Sequence, residues 1–434
     1  MRANNTPPVE LVVDDLEEVK MKALYSSKKK IFCIIMILNY SIYWSEIFFS
    51  RGKRLVYYFV HDTHNTFMDF IGPLLKNADS TYTAPTRSNY PVLANLFSLF
   101  IKHFIPINIS KNQYLMQASM YTLIIIIIFL LSFVLVFNYL TLHLLLNQQK
   151  NLEEDYCASI LILLSGPFLF TYERGNMILL ALILSLLFTY LYQSKRKLLM
   201  HISYIALAVA AAIKIYPALF GLIIIQRKSI KKILLAIFYG FIIFFIPFWI
   251  FYDGWSTIHQ FINNIFYRNG NIISWGLGYK FSFQNMIKIM YELLLHKYCA
   301  HVNQTFMLIP LLICLMMFLL SKELWKKTFS ICLFITWIPS DSFTYVLCFF
   351  SIPLILFLSE ETKITGLNYF YLVSFCIIFS LYSWNRIDWI NINTDSYQLT
   401  WGMVFVNIWL FFFAIVIFLE VLIDFVKSKK TCWY

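Results

Sequence analysis

Two basic clusters flank an apolar run that cannot be a single membrane span, and this constrains the fold more than any other feature. Lys195, Arg196 and Lys197 precede the run 202–225, and Arg227, Lys228, Lys231 and Lys232 follow it. Lys and Arg near membrane segments are kept on the cytoplasmic side, so one continuous helix would strand one cluster on the wrong face. The spacing instead predicts two half-helices, 202–212 and 216–225, that enter the membrane and return. A full span takes about 20 apolar residues, so neither half crosses unless a bundle buries it. Their junction, Lys214-Ile215-Tyr216-Pro217, carries a Lys toward the far face at a helix break. Non-helical backbone at that depth persists only inside protein or along a watery cavity. A cation in such a cavity marks a candidate site.

Composition agrees. With 60% hydrophobic and 13% charged residues the chain falls in the all-α, polytopic membrane class. The net charge of +12 punctuates the apolar runs instead of forming one stripe, so it reads as topology and not as a nucleic-acid surface. A cytoplasmic tail, 1–27, precedes a single membrane domain, 28–434, whose main outer loops are 51–113 and 253–285. An acidic patch at Asp14–Glu18 and then Lys28-Lys29-Lys30 precede the first apolar run, which is expected to act as an anchor. Eight cysteines are scattered singly. Cys33, Cys314, Cys332, Cys348 and Cys376 lie within apolar spans and read as small core residues, without metal spacing.

Starting with Lys28–Lys30 inside, spans are expected at 31–50, 118–146, 156–171 and 177–192, then the half-helices, then 233–252. An amphipathic stretch, 286–303, precedes spans at 306–321, 328–338, 342–359, 369–383 and 401–425. This gives about twelve crossings, including short broken pairs, with both termini cytoplasmic. The same walk gathers Asp62, Asp69, Glu173, Arg174, Lys214, Asp341 and Arg386 on the opposite face. Ionisable groups at membrane depth are costly and usually functional, so their convergence predicts one site that opens outward.

The first outer loop contains His61-Asp62-Thr63-His64 and then Met68-Asp69-Phe70, followed by Tyr82 and Tyr90-Pro91. Asp62 and Asp69 are two helical turns apart on one face. A carboxylate there can accept a proton from a hydroxyl nucleophile; a solvated loop acid is the plainer alternative. His61 and His64 lack a second pair of metal ligands nearby. In Glu173-Arg174-Gly175-Asn176, Gly permits a tight turn and Asn caps the next helix. Turn chemistry does not require the Glu and Arg. An Arg fork suits a phosphate, and so does Lys214 beside Tyr216, although a snorkelling Lys is the alternative. Asp341 starts a later span, just ahead of Tyr345. The loop from Tyr267 and Arg268 to Tyr279-Lys280 suits a glycan or lipid head group, or an interfacial aromatic belt.

In order, Thr66-Phe67-Met68-Asp69-Phe70, Tyr90-Pro91, Glu173-Arg174-Gly175-Asn176 and Ala212-Ile213-Lys214-Ile215-Tyr216-Pro217 resemble glycosyltransferase family 87. These are bacterial membrane enzymes of GT-C architecture that include polyprenyl-phosphate-mannose-dependent mannosyltransferases. The resemblance runs from about residue 60 to about residue 360. Where the family often has Tyr-Pro-Pro, this chain has Tyr90-Pro91-Val92, a change in loop stiffness more than in chemistry.

The resemblance implies a hexose, mannose first, moved from a polyprenyl-phosphate donor to a lipid or glycan acceptor hydroxyl on the outer face of a plasma membrane. It implies Asp69 as the base; Asp62, on the same loop, orients the loop or acceptor and is the substitute candidate. Lys214, Arg174 and Tyr216 would face the donor phosphate, and Glu173, Asn176, Tyr90 and Asp341 would support them. A phosphate that leaves as an anion needs cations but no general acid, so neither metal nor cofactor is called for. The partners expected are the donor, the acceptor and the bilayer. A lipid-linked glycan flippase would need polar groups along both halves of the bundle, and here they cluster on one side. An envelope polysaccharide polymerase or ligase shares the outward site and is separated poorly by sequence.

Overall fold

The computed structural model describes residues 9–54, 66–77, 80–83, 87–145, 152–226, 229–251, 253–271, 280–295, 302, 304–339, 342–360, 365–381 and 401–430. The chain is all-helical, in the manner of a polytopic membrane protein. The first half runs α1 (Val9–Phe49), α2 (Met68–Leu74), α3 (Val92–Lys102), α4 (Gln113–Ala118), α5 (Met120–Leu145), α6 (Leu152–Leu163), α7 (Gly166–Arg174), α8 (Ile178–Leu191) and α9 (Lys197–Ile213). The second runs α10 (Leu222–Ile225), α11 (Ile230–Phe245), α12 (Ser256–Asn271), α13 (Phe283–Leu295), α14 (Leu308–Leu320), α15 (Leu324–Trp337), α16 (Ser351–Ser359), α17 (Gly366–Phe379) and α18 (Trp401–Lys430). Among the described residues there is no strand; a lone backbone bridge pairs Lys280 with Phe343.

Four described helices are long and apolar enough to cross a membrane: Lys28–Phe49, Met120–Leu145, Ile230–Ile250 and Trp401–Ser428. Several expected spans are instead short apolar helices, among them α17, α8 and the pair formed by Thr344–Phe350 and α16. Short helices persist at membrane depth because their ends are covered by neighbours instead of lipid. Packing in such a bundle rests on close van der Waals fit. Cys33, Cys314, Cys332, Cys348 and Cys376 are all buried in it, as small core residues.

One expected span breaks. The run 156–171 is divided between α6 and α7, which meet at a 52° bend. Ser165 is extended there, and Pro167 lacks the N–H that would continue the ladder. A Cβ on Gly166 would collide with the Ser380 carbonyl oxygen, so only glycine admits this approach of α17.

The paired half-helices hold. α9 ends at Lys214, which is extended, and Tyr216-Pro217 then opens a 3-10 segment, Tyr216–Gly221, that leads into α10. A Cβ on Gly221 would lie 3.6 Å from Leu207 Cδ2. In a continuous helix those residues would stand about 21 Å apart, at 1.5 Å per residue. The chain therefore reverses at Lys214.

Charge sorts to two ends of the bundle. At one end Lys29 pairs with Asp155, Lys28 Nζ donates to the Glu360 carbonyl at 3.3 Å, and Lys326 reaches Glu420 at 2.8 Å. Lys327 Nζ donates to Gln226 Oε1 at 2.6 Å, just past α10. Lys28, the Lys322–Lys327 stretch and the exit of the hairpin thus share a face, as the positive clusters require. Burial, with Glu323 nearby, pushes the Glu360 carboxyl up to about 7 against the opposing pull of Lys28. The hairpin tip lies at the other end.

With native cysteines replaced by serine, a cysteine at Ser229 and one at Arg87 should label from opposite sides of sealed vesicles. Labelling of both from the same side would undo the in-and-out reading of the hairpin.

Candidate active site

The first outer loop meets the turn between α7 and α8 through its backbone. Phe67, the residue ahead of α2, has φ +58°, a left-handed conformation that costs a bulky side chain about 1–3 kcal/mol. Its N–H donates to the Glu173 carbonyl at 2.8 Å, and its own carbonyl accepts from Phe70 and Ile71 at 3.0 and 2.9 Å. Gly175 closes α7 at φ +62°. A Cβ there would sit 3.0 Å from Phe70 Cβ, so glycine serves both the turn and the docking of α2. Gly175→Ala should cost about 1–2 kcal/mol for the left-handed backbone alone. It should also lower the detergent-solubilised unfolding midpoint; an unchanged midpoint would show that the close docking is dispensable.

This docking places Asp69, in the first turn of α2, against the turn. Arg174 grips it with two nitrogens, Nη2 to Oδ1 at 2.7 Å and Nε to Oδ2 at 3.3 Å. Asn176 Nδ2 donates to Oδ2 at 2.7 Å. The Asn176 Oδ1 accepts the N–H of Ile178 at the start of α8, so helix capping aims the amide at Asp69. The side chains of Asp69 and Arg174 are 15% and 21% exposed, so the pair reaches the surface and is not a sealed core bridge. A carboxylate has about four acceptor positions; Oδ1 carries one of these hydrogen bonds and keeps a direction for a hydroxyl. Glu173 joins the contact through its carbonyl, as given above.

Lys214, at the hairpin tip, lies with Nζ 4.2 Å from the Tyr90 ring centroid and 5.7 Å from that of Tyr345. Both tyrosines also lie within electrostatic reach of Arg174. The rings therefore join Lys214 to the Arg174–Asp69 pair in one place. Tyr216 sits beside them with its ring edge-on to Phe349 at 5.9 Å.

A second layer fixes Tyr90. Its carbonyl accepts from Tyr82 Oη at 3.1 Å and from Asn95 Nδ2 at 2.9 Å. Asn264, on α12, donates to the carbonyls of Tyr82 and Ser88 at 2.8 and 3.1 Å, tying the second outer loop to the first. Burial raises the Tyr82 phenol, against the opposing hydrogen bond from Asn95, so it stays a donor.

Asp69, Arg174, Asn176, Tyr90 and Lys214 thus come together, with Tyr216 at the edge. Asp62, His61, His64, Asp341 and Arg386 lie outside the described residues, as do Trp275 and Tyr279. Sequence reasoning noted Tyr345 without giving it a role, and overlooked Asn95 and Asn264. Asn264 carried a signal: a polar residue on the apolar stripe of an amphipathic helix, next to Phe261 and Ile265. Among the described residues no group of three or more His, Cys, Asp or Glu is placed to hold a metal.

A search of curated proteins found no match, and neither did a search of solved structures. The profile of glycosyltransferase family 87 matches residues 90–338. It takes in Tyr90, the Glu173–Asn176 turn and the hairpin tip, while Asp69 and Tyr345 lie outside it, before and after the matched residues. With more than half of its length matched, the chain belongs to glycosyltransferase family 87 and is a membrane glycosyltransferase.

Proposed function

We propose that the enzyme moves a hexose, mannose in the first instance, from a polyprenyl phosphate to a hydroxyl of a lipid or glycan acceptor. The reaction takes place at the extracytoplasmic face of a plasma membrane, in a single membrane domain of about twelve crossings with both termini cytoplasmic. The observation that carries this reading is the meeting of a largely buried carboxylate, Asp69, with two cations, Arg174 and Lys214, at the hairpin end of the bundle. Lys28, Lys29, Lys326 and Lys327, basic residues of the kind kept on the cytoplasmic side, gather at the other end.

The acceptor hydroxyl attacks the anomeric carbon. As the new C–O bond forms, Asp69 takes the hydroxyl proton, and the bond from sugar to phosphate oxygen breaks with its electron pair on the phosphate. Charge grows on that phosphate, and Lys214 stands to balance it, with Tyr216 shaping the break. Arg174 holds the plane of the Asp69 carboxylate. A guanidinium fork can bridge a carboxylate and a phosphate at once, so the same residue can align base and donor. Asp62 remains the substitute base and Asp341 a supporting residue on the strength of the sequence, both lying outside the described residues.

The test is transfer in detergent, with labelled polyprenyl-phosphate mannose and other hexose donors offered to extracted acceptor lipids. Label moving into the acceptor fraction supports the reading. Release of no donor sugar, together with donor lipid crossing between leaflets in proteoliposomes, would favour a flippase.

A further inference from the structure

Tyr345 stands where the hairpin tip and the carboxylate-bearing turn approach each other, and the reaction as written gives it no part. It opens the 3-10 segment Thr344–Phe350, in which three residues reach three different features. The Tyr345 ring lies under Lys214. Cys348 Sγ lies 3.2 Å from Thr171 Oγ1 on α7, about one turn before Arg174. Phe349 packs against Tyr216 and, at 6.2 Å, against Phe220 beyond the break. Side chains at i and i+3 share a face of a 3-10 helix. This segment is therefore a wedge between the helix that carries Arg174 and the break that carries Lys214.

The wedge is also fixed from outside. Phe281 N–H donates to the Ser342 carbonyl at 2.7 Å, beside the backbone bridge from Lys280 to Phe343. The Phe343 ring stacks on Tyr345 at 5.8 Å, with 29° between the planes. Tyr345 is thereby held from two directions.

A lysine on a helix break has a long flexible stem, and ordering it costs about 2 kcal/mol of rotamer entropy. Two rings on separate elements narrow that freedom to the zone they share. An aromatic face attracts an ammonium through its quadrupole without cancelling the charge.

We propose that Tyr345 is a positioning residue for the donor: with Tyr90 it holds the Lys214 ammonium toward the phosphate by cation–π attraction and does not itself contact substrate. This rests on Lys214 being the donor cation, and the experiment separates the two claims. Phenylalanines carrying zero, one, two and three ring fluorines, placed at position 345, keep the shape of the ring while draining its face of electron density. Affinity for polyprenyl phosphate, the leaving group itself, is measured on each purified full-length protein alongside Lys214→Ala.

The unfluorinated Phe should bind within about twofold of Tyr, and affinity should fall stepwise to a total of about five- to thirty-fold with added fluorine. A flat series beside a weakened Lys214→Ala would overturn the proposal and leave the donor reading standing. A Phe variant as weak as the trifluorinated one would overturn it as well, by assigning the role to the hydroxyl. Wild-type affinity in Lys214→Ala would remove the donor reading, and this proposal with it.

Discussion

Asp69→Asn should leave donor binding nearly intact and cut sugar transfer by about 10²–10⁴-fold, the usual worth of a positioned general base. The replacement keeps the size of the side chain and a carbonyl oxygen for Arg174. Its amide nitrogen, however, is a donor with no capacity to take the acceptor proton. Turnover at saturating donor is the measurement, with polyprenyl-phosphate binding as the check on folding. Asp62→Asn should be milder. If Asp62→Asn were dead and Asp69→Asn nearly normal, the two roles would be exchanged. Near-normal transfer in both would end the idea of a carboxylate base on this loop.

Lys214→Ala should weaken use of the donor by roughly one to two decades. That follows from about 1.5–3 kcal/mol for a lost charge-assisted contact. The loss should appear in donor affinity or rate and not in expression, because Lys214 sits at a break already set by Pro217 and by the return of the chain onto Leu207. Lys214→Arg should rescue only in part, since a planar fork places a phosphate differently from a point charge. Undiminished transfer in Lys214→Ala would take this residue out of the site. Arg174→Met should behave differently from either. It removes two hydrogen bonds from Asp69, so its loss should fall on turnover as well as on donor use.

The parts of this site that lie close together along the chain were legible before the structure. Two basic clusters around one short apolar run demand a reversal, and Lys214-Ile215-Tyr216-Pro217 is where it occurs. Gly175 and Asn176 announce a left-handed helix end and a cap, and the structure has both. What pattern could not supply is which distant groups meet. Asp69 and Arg174 each read as suited to a substrate, but the folded loop gives them first to one another, across 105 positions. That pairing depends on the strained Phe67 and the bare Cα of Gly175 coming together, which neither local sequence encodes alone. The break between α6 and α7 had its signal in Ser165-Gly166-Pro167. It was masked because the flanking residues remain apolar, and hydropathy averages over a bend. Tyr345 was visible only as an aromatic near a span start, the commonest place for one in a membrane protein.

The shortness of the returning half of the hairpin also bears on how the enzyme is made. Tyr216–Ile225 spans ten residues, at most about 20 Å even as a 3-10 helix, against a hydrocarbon layer of about 30 Å. A nascent chain extended only this far offers the insertion machinery a segment that lipid cannot hold and a lysine with half its wall missing. α8 and α9 are already made, but Phe349, which packs on Tyr216 and Phe220, emerges much later. Assembly of the proposed donor site therefore waits until the Thr344–Phe350 segment has entered the bundle. A polypeptide stopped after residue 338 would carry the whole family-matched region and still leave this polar break uncovered at membrane depth. Quality-control proteases of the membrane would meet it as an unfinished protein.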